Sequence, residues 1–135
     1  MTQGDDVETI REAFERWNQR DIEYWIQHSQ PQVEIWSKYA ALDEGGDPYR
    51  GHNGMLEWRA EIDRNFEFHE VSADDVRKVG DKVLVLGSVR FRGQASGTEM
   101  HYPFGWVCEM RDGALSRMFF YSSHREALGA VGLDQ

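Results

Sequence analysis

Between Phe66 and Ser122 the chain runs through four long segments of strand character, and each can be read residue by residue into two faces. The segments are about Phe66–Val79, Lys82–Arg92, Glu99–Arg111 and Ala114–Ser122. Gly80-Asp81 and Asp112-Gly113 are tight-turn signals, and Gly93, Ser96 and Gly97 mark a looser connection. Side chains alternate across a strand. In the second segment Val83, Val85, Gly87, Val89 and Phe91 share one face, and Leu84, Leu86, Ser88, Arg90 and Arg92 the other. The arginines mark the second face as outer. By the same rule Tyr102, Phe104, Trp106, Cys108 and Met110 point inward in the third segment. Met118, Phe120 and Ser122 do so in the fourth, opposite Arg117, Phe119 and Tyr121. An inner face this rich in large rings needs a cover.

The first half of the chain supplies that cover. Val7, Ile10, Phe14 and Trp17 recur at steps of three and four, which predicts a helix from about Asp6 to Asn18, with Asp5 and Glu8 at capping-box spacing. Asp21 is an N-cap for a short second helix carrying Tyr24, Trp25 and His28, which Pro31 ends. Val33-Glu34-Ile35-Trp36-Ser37 reads as a short strand, and Asp43–Asp47 as an acidic loop. A third helix follows Gly51, with Met55, Trp58 and Ile62 as its apolar stripe. A last helix starts after Ser123, where Ser123 and Glu126 form a capping box, and it ends at Gly129 or Gly132. Helices first and strands later predict an α+β fold. The expectation is a single domain over residues 1–135: a strongly curved, mostly antiparallel sheet with helices one to three on its concave face.

Composition narrows the function classes. A net charge of −9 over 135 residues repels polyanions, so neither nucleic acid nor an anionic membrane is an expected partner. One cysteine, Cys108, excludes an internal disulfide framework and a multi-cysteine zinc site. No apolar run approaches the roughly 18 residues of a membrane span. Met1-Thr2-Gln3-Gly4-Asp5-Asp6 has no basic or apolar signal region, so a cytoplasmic protein is expected.

Several local strings stand in a telling order. Tyr49-Arg50-Gly51-His52-Asn53-Gly54 precedes the third helix, and Gly80-Asp81-Lys82-Val83-Leu84-Val85-Leu86-Gly87 sits at the sheet hairpin. Ser96-Gly97, Pro103-Phe104 and Arg111-Asp112-Gly113 follow, then Tyr121, Glu126-Ala127-Leu128 and Gly132-Leu133. From about Val7 to Leu133 the chain resembles the nuclear-transport-factor-two-like superfamily, and within it the SnoaL-like, polyketide-cyclase-like branch. The resemblance implies a cone-shaped roll with a deep pocket between sheet and helices, often a homodimer through the sheet. It does not set the activity, since relatives include isomerases, cyclases, hydrolases, dehydratases and non-catalytic association modules. The ketosteroid isomerases' base would fall at Ile35-Trp36-Ser37, where there is no carboxylate. Their tyrosine donor would fall at Ala13, and their protonated aspartate at Trp106. The Arg–Asp–Asp set of the limonene epoxide hydrolases has no counterpart on the inward strand positions. Both chemistries are therefore disfavoured.

The remaining candidates carry two readings each. His69 shares a strand face with Val71 and Ala73, and an imidazole in an apolar pocket suits a general base; a hydrogen-bonded histidine near a strand start fits the same position. Tyr102 points toward the pocket mouth, either as a donor to an oxyanion or as an aromatic wall. Asp63 follows Ile62 as an acid–base partner or as part of a solvated helix face, paired with Arg59 at i,i+4. Tyr39 and Ser37 have inner parity, as pocket polar groups or loop anchors. Trp17, Trp58, Phe104, Trp106 and Phe120 are core, ligand wall or both. His101 with Glu99 is too few ligands for a metal, and none is expected. His28, His52 and His124 are scattered. Cys108, between Trp106 and Met110, reads as a buried thiol. The acidic Asp43–Asp47 run reads as a solvated loop or a lid.

Two functions follow from these residues and the resemblance. One is a pocket that binds a small hydrophobic or polycyclic molecule and, as an enzyme, carries out acid–base isomerisation, dehydration or cyclisation without a cofactor. The other is a non-catalytic ligand-binding or association module. Leu84, Leu86, Val107 and Phe119 hold outer positions on three consecutive strands, which predicts a homodimer through the convex face. The alternative is that the segment after Gly129 folds over that face within one chain.

Overall fold

The computed structural model describes residues 3–36 and 48–133. Ser37, Tyr39 and the Asp43–Asp47 loop lie outside them. The elements are α1 (Gln3–Asn18), α2 (Ile22–Gln27), β1 (Ser29–Trp36), β2 (Tyr49–Arg50), α3 (Gly51–Asn65), β3 (Phe66–Val79), β4 (Lys82–Gly93), β5 (Glu99–Arg111), β6 (Ala114–Tyr121) and α4 (His124–Ala130). The described strands form one curved sheet in the order β2-β1-β6-β5-β4-β3. All neighbours are antiparallel except β1 and β6, which run parallel.

The helix starts follow local chemistry. The Asp21 carboxylate accepts from Tyr24 N at 3.3 Å, and Ser123 Oγ accepts from Glu126 N at 3.1 Å. Two helix boundaries differ from the sequence reading, and β1 begins at Ser29 rather than Val33. The first helix begins at Gln3, so Asp5 lies within it rather than at its cap. The second ends at Gln27, before Pro31, because Ser29 Oγ donates to Trp25 O at 2.6 Å and the chain turns directly into β1. Pro31 is accommodated there because the β1–β6 register shifts between Ser29 and Glu34.

The alternation of faces holds, with local exceptions. Val83, Val85, Phe104, Trp106, Cys108 and Met118 are buried in one core with Ile10, Phe14, Trp17, Trp58 and Ile62 of α1 and α3. Arg90, Arg92 and Arg117 point the other way and pair with Glu70, Glu99, Glu67 and Glu109. Bulges shift the parity at several places, including one between Phe66 and Phe68. Another between Ala73 and Asp75 turns Val76 inward, and one between Glu109 and Met110 does the same for Leu115.

The outer face corrects the expected dimer surface. Leu84, Leu86 and Val107 are 0%, 8% and 2% exposed within the single chain, because Ala127, Leu128, Val131 and Leu133 from α4 and its tail pack on them. Thus the chain covers its own patch, starting at α4 rather than after Gly129. Phe119 lies beside this cover, half-buried and stacked on Trp36 at 6.1 Å. Two features seat α4. His124 Nε2 is 2.9 Å from Gly87 O, and Gly105 leaves room for the Ala127 methyl, which a Cβ there would strike. Gly105→Val is therefore expected to lift α4 at a cost of about 1–3 kcal/mol. Hydrogen exchange should show the α4 amides losing protection before the β4 and β5 amides; protection unchanged in α4 would refute this docking.

Candidate functional site

A cavity of about 380 Å³ lies between α1, α3 and the inner face of β3–β6. Its walls are mostly apolar: Phe14, Trp17, Trp58 and Ile62 from the helices, and Val89, Phe91, Phe104, Trp106 and Phe120 from the sheet. Trp17, Trp58 and Trp106 line this space without filling it. Their rings brace one another, with Trp17 and Trp58 centroids 4.6 Å apart and Trp58 and Trp106 6.1 Å apart. Trp25 supports the group from behind and is pinned by Nε1 donating to Ala13 O at 2.7 Å.

His69 enters the cavity from β3, where it pairs with Phe91 of β4. Its position is set by the end of α1. Asn18 clamps the free edge of β3, donating from Nδ2 to Val71 O and accepting from Val71 N, each at 2.8 Å. One residue earlier, Trp17 Nε1 donates to His69 Nδ1 at 3.1 Å. An indole N–H only donates, so Nδ1 must be the acceptor and the neutral ring carries its proton on Nε2. Burial pulls the imidazole pKa down from 6.5 to about 4, with the nearby Arg59 charge as the second cause. At neutral pH His69 is thus an uncharged group with one N–H to offer.

Arg59 holds Trp17 from the far side. Its guanidinium sits 4.3 Å from the Trp17 ring centroid, donates to Trp17 O at 3.3 Å and pairs with Asp63 at 3.0 Å. Only 7% of Arg59 is exposed. Asp63 does not line the cavity: its carboxylate is taken up by Arg59 and, at 3.5 Å, by Arg20. This corrects its placement as an acid–base partner in the pocket, since Asp63 is one position round the helix from the inward-facing Ile62.

Tyr102, 43% exposed, stands on the cavity wall beside Val89, 5.9 Å from the Phe91 ring. Ser122 and Pro103 complete the lining near it. Of the sequence candidates, the structure brings together His69, Tyr102, Trp17, Trp58, Phe104, Trp106 and Phe120. Val89 and Phe91 were legible only as inner-parity positions, and Ser122 as the last of the β6 series. Among the described residues no carboxylate lines the cavity, and no group of His, Cys, Asp or Glu is arranged to hold a metal ion. Cys108 is fully buried, and burial pushes its thiol well above the usual range, so it is no nucleophile. His101 bonds Ser88 on the outer side, and His28 stacks on Tyr24 at 3.9 Å.

A curved sheet wrapped on three helices around an apolar pocket is the architecture of the nuclear-transport-factor-two-like roll. Within it, this chain belongs to the SnoaL-like domain family, whose model matches residues 10–118. Solved structures share the fold. A nuclear-transport-factor-two-like protein of unknown function from Burkholderia pseudomallei K96243 is 18% identical, with a TM-score of 0.79 over 98% of this chain and 99% of that one. TerC, crystallised with polyporic acid, is 23% identical at a TM-score of 0.76, covering 94% of this chain and 98% of its own. A SnoaL-like polyketide cyclase homologue from Jannaschia sp. CCS1 is 17% identical at a TM-score of 0.75, over 98% and 95%. No curated protein matches the chain in sequence. No helix among the described residues is long and apolar enough to cross a membrane.

Proposed function

We propose that this chain binds a small, flat, hydrophobic or polycyclic molecule in the cavity between helices and sheet. The observation that carries the reading is the open apolar space of about 380 Å³ whose sheet wall presents both His69 and Tyr102, on either side of Phe91. Such a space suits a small-molecule site. The co-crystal of TerC with polyporic acid supports a small organic ligand for a pocket of this fold. In the catalytic form of the proposal, His69 Nε2–H and the Tyr102 hydroxyl polarise an oxygen of the ligand and favour isomerisation, dehydration or cyclisation without a cofactor.

The geometry also supports a second reading, binding without turnover. The His69 nitrogen that would take a proton is engaged by Trp17, and no carboxylate among the described residues lines the space. The role best suited to His69 is therefore hydrogen-bond donor, not general base. Val89→Phe, which adds a ring to the cavity wall, is expected to weaken binding of fluorene at least tenfold in equilibrium dialysis. Unchanged affinity would overturn the cavity as the site. On any substrate that is turned over, His69→Ala and Tyr102→Phe are each expected to lower kcat/KM by roughly 100-fold, as for loss of one donor to a developing oxyanion. Full kcat/KM in both variants would remove them from the mechanism.

A further inference from the structure

The two deep tryptophans of the cavity carry indole N–H groups that no described residue accepts. Trp58 is 4% exposed and Trp106 is 7% exposed, and both line the cavity. Trp17 and Trp25, their neighbours in the same ring cluster, spend their indole N–H groups on His69 Nδ1 and Ala13 O. Among the described residues, Trp58 Nε1 and Trp106 Nε1 have no such partner. Yet among the described residues no buried side-chain nitrogen or oxygen is both sealed from solvent and unpaired. Both N–H groups therefore open onto space, and the space their rings adjoin is the cavity. A tryptophan that only filled a core would have its N–H paired within the protein or be replaced by phenylalanine at no polar cost.

We infer that Trp58 and Trp106 are ligand-recognition residues whose indole N–H groups, with His69 Nε2–H, select a flat aromatic molecule bearing carbonyl-type acceptor oxygens. This inference rests on the cavity being the binding site. All three groups donate, and none carries charge at neutral pH. Such a set recognises ketone or enol oxygens on a ring system, and offers a bare hydrocarbon nothing beyond contact. A ligand whose buried edge presents only donors would leave these N–H groups unpaired at a cost.

The test compares two ligands of nearly the same shape, fluorene and 9-fluorenone, which differ in one carbonyl. Equilibrium dialysis read by ligand absorbance avoids any reliance on tryptophan fluorescence. In the wild-type protein fluorenone should bind about tenfold more tightly than fluorene. Trp58→Phe and Trp106→Phe keep a ring and remove the N–H. In at least one of them the fluorenone-to-fluorene affinity ratio should fall by about fivefold, with melting curves confirming that the variant is folded. A wild-type ratio near one overturns the inference and leaves the cavity reading standing. A high wild-type ratio that survives in both folded variants also overturns it, because the selectivity then lies elsewhere. If one variant does not fold, the other variant and the wild-type ratio decide. Failure of both ligands to bind overturns the cavity reading, and this inference with it.

Discussion

Replacing Gly87 by alanine is expected to cost about 4 kcal/mol or more, a large share of the roughly 5–15 kcal/mol that holds a domain folded. Gly87 lies in β4 opposite Ala73 of β3 and Phe104 of β5. A Cβ at Gly87 would overlap the carbonyl oxygen of Ser72 and sit 2.9 Å from its carbonyl carbon and 3.2 Å from Ala73 Cα. These are backbone atoms on a paired strand, so no rotamer change relieves the clash. The same place holds the bulge between Ala73 and Asp75, where β3 bends over β4. The missing side chain thus allows the curvature that brings His69 and Val71 over the cavity, and Gly87 O also receives His124 of α4. Urea unfolding of wild type and variant measures the loss. A cost under 1 kcal/mol would show that β3 moves aside freely and that the close approach does not set the bend.

Gly87 also marks where strand alternation stops being informative. Alternation placed Val85, Val89, Phe104, Trp106 and Phe120 against the helices, because one run of residues decides each face. It could not locate the bulges that turn Val76 and Leu115 inward, because a bulge depends on how two strands meet, and that information is spread over both. The outer face failed for a related reason. Leu84, Leu86 and Val107 are apolar whether a second copy or the chain's own α4 covers them, and parity is the same in both cases. What decided between the two was the pairing of Gly105 with Ala127, a contact between small residues on different elements that no local pattern announces.

The site was half legible. His69, Tyr102 and five aromatic wall residues were identifiable from their face and the resemblance. Their relations were not. Trp17 and His69 stand 52 residues apart, yet the bond between them sets which imidazole nitrogen keeps the proton, and so changes the residue from base to donor. Asp63 and Arg59 were readable as an i,i+4 pair, but not that Arg59 would be buried against the Trp17 ring and draw the carboxylate away from the cavity. Chemistry carried by one residue type at one position was visible in the sequence; chemistry that depends on a partner from another layer required the fold.

That long-range control of His69 leads to a pH dependence of stability. The ring's pKa is about 4 in the folded chain and near 6.5 when unfolded. Below 6.5 the unfolded chain therefore binds a proton that the folded chain refuses, so stability falls as pH drops from 6.5 to about 4. At 1.36 kcal/mol per unit, this one group removes about 3 kcal/mol across that window and nothing above it. Carboxylates add their own acid losses, so the group must be isolated by a variant. Glutamine at position 69 does not titrate, and its side-chain oxygen can accept the Trp17 N–H. Urea unfolding of wild type and His69→Gln at pH 7.5 and pH 4 should show the variant losing about 3 kcal/mol less than wild type between the two. Equal losses would mean that the imidazole accepts its proton in the folded state without penalty. Trp17 would then have released Nδ1, and the neutral Nε2–H donor assigned to His69 would not hold at mildly acid pH. With the predicted difference observed, the donor remains in place from pH 5 upward, and ligand binding through it should be flat with pH over the same range.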